Sequence, residues 1–186
     1  MRFSLDPLSH DEVPAYVQAH LAMTVVTYAH LVGPEFAANR WSEVEPRIAE
    51  VHHEIDDADR AEAAGETYRR HLVAHNDLGG IVGVMAVGGG VEQWEFDEIS
   101  DRWTPPAIDY ALGHLYTVPG IHGTGLPQQM LDAGLPDRRP AFLWCIADNA
   151  RAVAFYRRNG FVPDGLAVAA GDWWSSLPMI RMVRQG

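Results

Sequence analysis

The chain has 186 residues, 47% of them hydrophobic and 21% charged, enough apolar material for one core and too little charge for a disordered chain. Its 25 acidic residues outnumber 14 basic ones, giving a formal net charge of −11, which argues against nucleic acid as a partner. All the basic residues are arginine, which excludes lysine Schiff-base chemistry and a phosphate-binding P-loop lysine.

In chain order, Arg2 to Leu5 reads as a short strand, and Pro7 and Ser9 lead into a helix over Asp11 to Leu31. Gly33-Pro34 ends it. A second helical region from Trp41 to Ala63 mixes a charged face with Val44, Ile48, Val51 and Ile55. Thr67 to His75 reads as a strand, Asn76-Asp77 and Gly79-Gly80 as a turn, and Ile81 to Val87 as an apolar strand. Residues 91–109 form a long polar and aromatic connection, a length that inside a compact domain usually marks function. Ala111 to Val118 is strand-like, Gly120 to Gly125 a glycine turn, and Leu126 to Ala133 a helix stopped by Gly134. Ala141 to Ala147 is an apolar strand. Asp148-Asn149 caps a helix that closes at Asn159-Gly160. Phe161 to Val168 and Leu177 to Val183 are two closing strands. This order predicts a mixed α/β sheet in a single domain over 1–186.

Charge is uneven along the chain. Residues 1–120 hold 20 acidic and 7 basic side chains, and residues 121–186 hold 5 and 7. Nine acids fall between Glu43 and Glu66, and a second group comprises Glu92, Glu95, Asp97, Glu98 and Asp101. Such runs are most often solvated faces; the functional reading is that the first two-thirds faces a cation. A lone Cys145 excludes an internal disulfide and a Cys-x-x-Cys metal or redox site. The start has no secretory pattern and no stretch suits a membrane span, so a cytoplasmic protein without a membrane partner is expected. His71 and His75 are four apart in a strand-like segment, and His52-His53 diverge on a helix, so no metal is expected.

Two segments carry chemistry. In Gly120-Ile121-His122-Gly123-Thr124-Gly125-Leu126-Pro127 the glycines let backbone N–H groups converge ahead of a helix N-terminus, which suits a phosphate or pyrophosphate. In the capped helix that follows Asp148-Asn149, Phe155 and Tyr156 stand two turns in, before Gly160-Phe161. Together they resemble the GNAT superfamily of N-acetyltransferases. The matching pieces are the strand Leu115-Tyr116-Thr117-Val118, the turn His122 to Pro127, and then Asp148, Asn149, Ala152, Phe155, Tyr156, Gly160 and Phe161. His122 stands where the family has Gln or Arg, and Pro127 where it has Gly or Ala. Proline suits a first helical turn but removes one N–H.

The resemblance implies a GNAT fold: a mixed, mostly antiparallel sheet flanked by helices, with 1–110 on the acceptor side, 111–165 binding acyl-CoA and 166–186 closing the sheet. It implies acetyl-CoA as donor and direct attack by an amine. Tyr116 and Val118 would lie along the donor, the Val118 N–H polarising the thioester carbonyl. His122 and the amides of Gly123, Thr124, Gly125 and Leu126 would hold the pyrophosphate, and Asn149 would contact the pantetheine. Tyr156 would protonate the departing thiolate. The family's usual strand glutamate is missing, which leaves His114, on the same strand parity as Leu112 and Tyr116, as the base, or else Asp109 or a carboxylate of the 92–101 segment. Trp173 and Trp174 would line the acceptor site, with aromatic packing or a homodimer contact as the plain alternative. The expected acceptor is a small cationic amine (a polyamine, an amino-sugar antibiotic or a basic peptide). The alternatives are a protein N-terminus or lysine, or a non-catalytic acyl-CoA-binding module.

Overall fold

The computed structural model describes residues 2–66, 68–91, 94–96, 106–171 and 174–186. The strands are β1 (Phe3–Pro7), β2 (Arg70–Asn76), β3 (Ile81–Gly89), β4 (Tyr110–Thr117), β5 (Ala141–Ile146), β6 (Val162–Ala169) and β7 (Pro178–Arg184). They form one sheet in the order β1-β2-β3-β4-β5-β7-β6. Every neighbouring pair is antiparallel except β4 and β5, which run parallel.

The helices are α1 (Val13–Val32), α2 (Phe36–Trp41), α3 (Val44–Ala64), α4 (Leu126–Gly134) and α5 (Ala150–Arg158). The helical region expected from Trp41 to Ala63 is α3, which begins at Val44, and the short α2 that precedes it was not expected. Helix α1 ends where Gly33 takes φ +125° and returns its N–H to the Ala29 carbonyl, and α3 ends on Gly65 in the left-handed region. Thr24 and Thr27 satisfy their hydroxyls on the His20 and Met23 carbonyls one turn back, so polar residues sit within α1 without an orphan donor.

Two cores sandwich the sheet. On one face Val13, Tyr16, Val17 and Leu21 of α1 and Val51 of α3 pack on Val73 and Val84. On the other, Met130 and Leu131 of α4 and Tyr156 of α5 pack on Met85, Val87, Leu112, Leu143 and Met182. Fully burying one such aliphatic side chain contributes about 1.5–3 kcal/mol, so each helix is held by its apolar face rather than by propensity.

Strand β4 departs from simple alternation. Ala86 faces His114 and Val87 faces Leu112, which leaves Gly113 unopposed as a β-bulge. The bulge reverses the parity expected from the sequence. Leu112 lies in the α4/α5 core, whereas the His114 ring meets Tyr16 and His20 of α1, and Tyr116 packs on the same α1 face. Glycine is the residue a bulge accepts at least cost, having no Cβ to fit.

The end of β3 is held against the residues leading into β2: Gly89 N–H reaches the Tyr68 carbonyl, and a Cβ on Gly88 would run into the backbone of Tyr68 and Arg69. Gly88→Ala must push these segments apart. It is expected to cost about 1–3 kcal/mol and to lower the thermal midpoint by several degrees, read in a melt monitored by circular dichroism; an unchanged midpoint would contradict this packing.

Candidate active site

Strands β4 and β5 pair only through Ala111–Phe142 and Leu112–Leu143 and then diverge. The gap opens into a cavity of about 230 Å³ lined by both strands, the glycine turn and α5. The Val118 N–H donates to the Val82 carbonyl at 3.0 Å, so it belongs to the β3 ladder and does not face the gap, against the expectation that it polarises a thioester. Antiparallel pairs alternate in direction along a strand. Tyr116 and His114 therefore share Val118's orientation toward β3, and the backbone groups of Leu115 and Thr117 point into the gap.

In the glycine turn, Gly123 and Gly125 take φ +85° and +87°, a left-handed geometry that turns amides to one side. The Thr124 N–H is bonded to the Ile121 carbonyl at 3.2 Å and the Leu126 N–H to Thr124 Oγ1 at 3.4 Å. The Leu126 side chain is fully buried in the core. The expected cradle of four amides thus reduces, among the described residues, to those of Gly123 and Gly125, which meet no backbone acceptor. Pro127 sits in the first turn of α4. His122 Nδ1 accepts from Arg151 at 2.7 Å, and burial, then the Arg151 charge, push its pKa down, against a bond to the Thr117 backbone. The neutral ring thereby braces Arg151, a cation that neither sequence motif singles out, at the cavity wall.

Asn149 caps α5 as expected. Its side-chain oxygen accepts from Ala152 N–H at 3.1 Å, and its Nδ2 donates to the Tyr28 hydroxyl at 3.0 Å, tying α5 to α1. Tyr156 lines the same cavity among Phe155, Phe161 and Cys145. Burial raises its pKa and pushes the Cys145 thiol up to about 12, so both keep their protons.

A second cavity, of about 390 Å³, lies on the α1 face. It shares Gly113, His114, Tyr116, Tyr28 and Trp144 with the first. Tyr116 is therefore a dividing wall between the two cavities rather than a donor-side residue alone. Trp174 reaches this second cavity, meeting the Tyr28 ring at 5.2 Å and the Phe36 ring at 5.1 Å, with the Arg40 guanidinium 5.4 Å from its centre. Trp173 lies outside the described residues, as do Glu92, Asp97, Glu98 and Asp101. Asp109 is exposed and lines neither cavity; it precedes the bulge, too early along β4 to reach the gap. Glu95 is buried and accepts from Trp144 Nε1 at 2.8 Å.

Around His114 stands a group that sequence reading did not assemble. Tyr16 Oη lies 2.8 Å from His114 Nε2, 3.1 Å from His71 Nδ1 and 3.0 Å from the Met85 carbonyl. His71 Nε2 lies 2.7 Å from Glu54, and Arg69 3.5 Å from the same carboxylate. His20 stacks on His114 at 4.0 Å. The available signal was Tyr16, His20, Thr24 and Tyr28, a stripe of polar-tipped side chains at four-residue spacing along α1. His20 is lowered to about 3, first by burial and then by Arg47, His71 and Arg40. His114 is lowered well below 6.5 by burial, His20 and His71. Burial raises Glu54, but the bond to His71 and the nearby charges outweigh it and hold the carboxyl below its ordinary value.

The depressed histidines set an acid sensitivity. In the unfolded chain they take a proton near pH 6.5, and in the fold only far lower. Between those limits the unfolded state binds more protons, so stability falls as pH falls from about 6.5, by up to roughly 1.4 kcal/mol per pH unit for each histidine. Thermal melts from about pH 7.5 down to 4.5 should show this fall, and His20→Gln should flatten it; an unaltered slope would remove His20 as a source.

No protein-family model matches the chain, and no curated protein matches it. Solved structures do. PaiA N-acetyltransferase from Thermoplasma acidophilum, in complex with coenzyme A, superposes with a TM-score of 0.65 at 15% identity, covering 97% of this chain and 98% of that one. The apo form of YjaB from Escherichia coli gives 0.63 at 17% identity, over 100% and 99%. An acetyltransferase of the GNAT family from Desulfovibrio desulfuricans gives 0.55 at 17% identity, over 99% of both chains. At such identities the likeness is one of architecture, and it runs over 97–100% of this chain: this chain has the GNAT fold.

Proposed function

We propose that the protein is an N-acyltransferase that moves an acetyl group from acetyl-CoA to the primary amine of a small molecule. One observation carries this reading: the donor-side and acceptor-side cavities meet at a single wall, His114 and Tyr116, beside the gap between β4 and β5. A thioester laid in the gap and an amine entering from the α1 face would meet there, and holding two reactants so is worth several kcal/mol of barrier.

The donor's pyrophosphate would rest on the Gly123 and Gly125 amides and the N-terminus of α4, with Arg151 alongside. Its pantetheine arm would bond the gap-facing amides of Leu115 and Thr117 in place of a further β5 residue. The amine nitrogen attacks the thioester carbon, forming C–N and breaking C–S. The ammonium proton goes to His114, and Tyr156 supplies a proton to the leaving sulfur. Burial that raises a phenol also destabilises a thiolate formed in the same apolar place, which favours that transfer.

The acceptor's charge is drawn by the whole chain, at −11, and by aromatic faces such as Tyr116 and Trp174. The acidic run of α3 adds little inside the cavity. Glu43, Glu50 and Glu54 line it together with Arg40, Arg47 and Arg69, and Arg40–Glu43, Arg47–Glu50 and Arg69–Glu54 are ion pairs. Steering is therefore long-range, and fit is set by aromatic and histidine surfaces.

Thiol release from acetyl-CoA across a panel of amines tests the reading: release with at least one primary amine is expected. No release, together with a melting temperature raised by acetyl-CoA, would leave a binding module instead. Tyr156→Phe should lower kcat by about 100-fold or more with little change in CoA affinity, and full activity would remove its acid role.

A further inference from the structure

A base in the position of His114 faces a difficulty that the surrounding charges make explicit. Positive charge on its ring is opposed first by burial, then by His20 of α1, His71 of β2, Arg69 ahead of β2 and Arg47 of α3. An imidazolium there would be short-lived unless the proton moved on. The hydrogen bonds lead in one direction. Glu54 is acceptor-only when ionised, so His71 carries its hydrogen on Nε2 and donates it to Glu54. His71 Nδ1 is then a lone pair 3.1 Å from the Tyr16 hydroxyl, whose hydrogen is shared between it and the Met85 carbonyl, and Tyr16 oxygen accepts from His114 Nε2–H. His114 Nδ1 is left with no protein partner among the described residues, on a ring that borders both cavities.

We infer that Tyr16, His71 and Glu54 form a proton relay that carries the proton released by the attacking amine from His114 to the His71–Glu54 pair, whose members stand 17 residues apart in sequence on β2 and α3. The inference rests on the acyltransferase reading above. The transfer balances without any further reactant. The ammonium N–H bond breaks as His114 Nδ1–H forms. His114 gives its Nε2 proton to Tyr16 oxygen, Tyr16 gives its own proton to His71 Nδ1, and His71 becomes an imidazolium donating to both Tyr16 and the Glu54 carboxylate, or passes its Nε2 proton to Glu54. The Met85 carbonyl competes for the Tyr16 proton at 3.0 Å, and it stabilises the hydroxyl once His71 has become a donor.

Around the relay, the titratable and charged groups are Tyr16 and His20 on α1, Arg40 on α2, Glu43 just ahead of α3, Arg47, Glu50 and Glu54 on α3, Arg69 ahead of β2, and His114 and Tyr116 on β4. A proton resting on the His71–Glu54 pair lies next to the one carboxylate of this set that is bonded into the chain of hydrogen bonds. A proton resting on His114 has no carboxylate bonded to its ring among the described residues, and Glu43 and Glu50 across the same cavity are each paired with an arginine. Tyr16, His71 and Glu54 are thus positioning residues that act through His114.

The test compares the wild type with Tyr16→Phe, which removes one oxygen from a buried ring, and Glu54→Gln, which keeps an acceptor for His71 at the cavity rim. Steady-state rates are measured against pH and in mixtures of light and heavy water, with an amine that the wild type acetylates. For Tyr16→Phe, kcat should fall about 10- to 100-fold with KM for both substrates nearly unchanged, and the curved dependence on deuterium fraction should become linear as several moving protons become one. For Glu54→Gln, the carboxylate that steadies the protonated end of the relay is gone, so the acid limb of the profile should move to lower pH on a reduced plateau. Unchanged rate and curvature in Tyr16→Phe would overturn the relay. So would rate losses in both variants with the acid limb and curvature unmoved, the mark of a structural role. A wild type that transfers no acetyl group to any amine would instead fail the acyltransferase reading, and the relay with it.

Discussion

The parting of β4 from β5 is the constraint on which the rest of the molecule depends. Two parallel strands that stay paired leave no room between them, and these two hold together through only Ala111–Phe142 and Leu112–Leu143. Beyond that point β4 keeps its ladder to β3 on one side and has lost β5 on the other, where His122 meets the Thr117 backbone. Unpaired backbone groups inside a protein are costly, so the gap is a place that favours an extended ligand able to bond like a strand. Both α4 and α5 begin just past the carboxyl ends of the parted strands, so the positive ends of two helix dipoles converge on the same mouth. Asn149, bonded to Tyr28, ties α5 to α1 beside the open gap.

The distribution of charge follows a second logic. Net charge sets the long-range field, whereas binding and chemistry respond to what is unmatched locally. Here the two differ. The acceptor-side cavity contains glutamates and arginines in equal number, largely paired. Two of the histidines that line it, His20 and His114, are kept neutral, first by burial. Arg40 is held over the Phe36 and Trp174 rings, and its Nε is a buried nitrogen without a partner among the described residues.

Much of the fold was legible in the sequence because its signals are local. Gly33, Gly65 and Asn149 terminate or cap helices through their own conformational preferences, and the Gly123-Thr124-Gly125 turn announced itself. Two features were legible only in part. Gly113 inside an apolar strand is a bulge signal, yet the assumption of unbroken alternation placed Leu112 beside His114. The four-residue spacing of Tyr16, His20, Thr24 and Tyr28 marks a polar stripe, but its partners His71, His114 and Glu54 come from three other elements, and no local pattern connects them. The Val118 amide failed for a similar reason: which side of a strand an amide faces depends on the register with its neighbour. The acidic run over Glu43 to Glu66 misled about the cavity because a sequence count cannot show which carboxylates meet an arginine.

The bulge at Gly113 also decides how acid and base are kept apart. Unbroken alternation would put His114 on the same face of β4 as Leu112. With the bulge, Tyr156 stays among Phe155, Phe161 and Cys145 on one face of the sheet, and His114 joins the hydrogen-bonded group on the other. The two groups then sit in environments that treat protons oppositely. One is apolar and holds its proton until an anion forms beside it. The other is a wired set of donors and acceptors ending on an ionised carboxylate. In the proposed reaction the thioester lies between them, in the gap, so the proton that leaves the amine and the proton that meets the sulfur travel on opposite sides of the sheet. On that proposal, a single unopposed glycine in β4 separates the two proton paths.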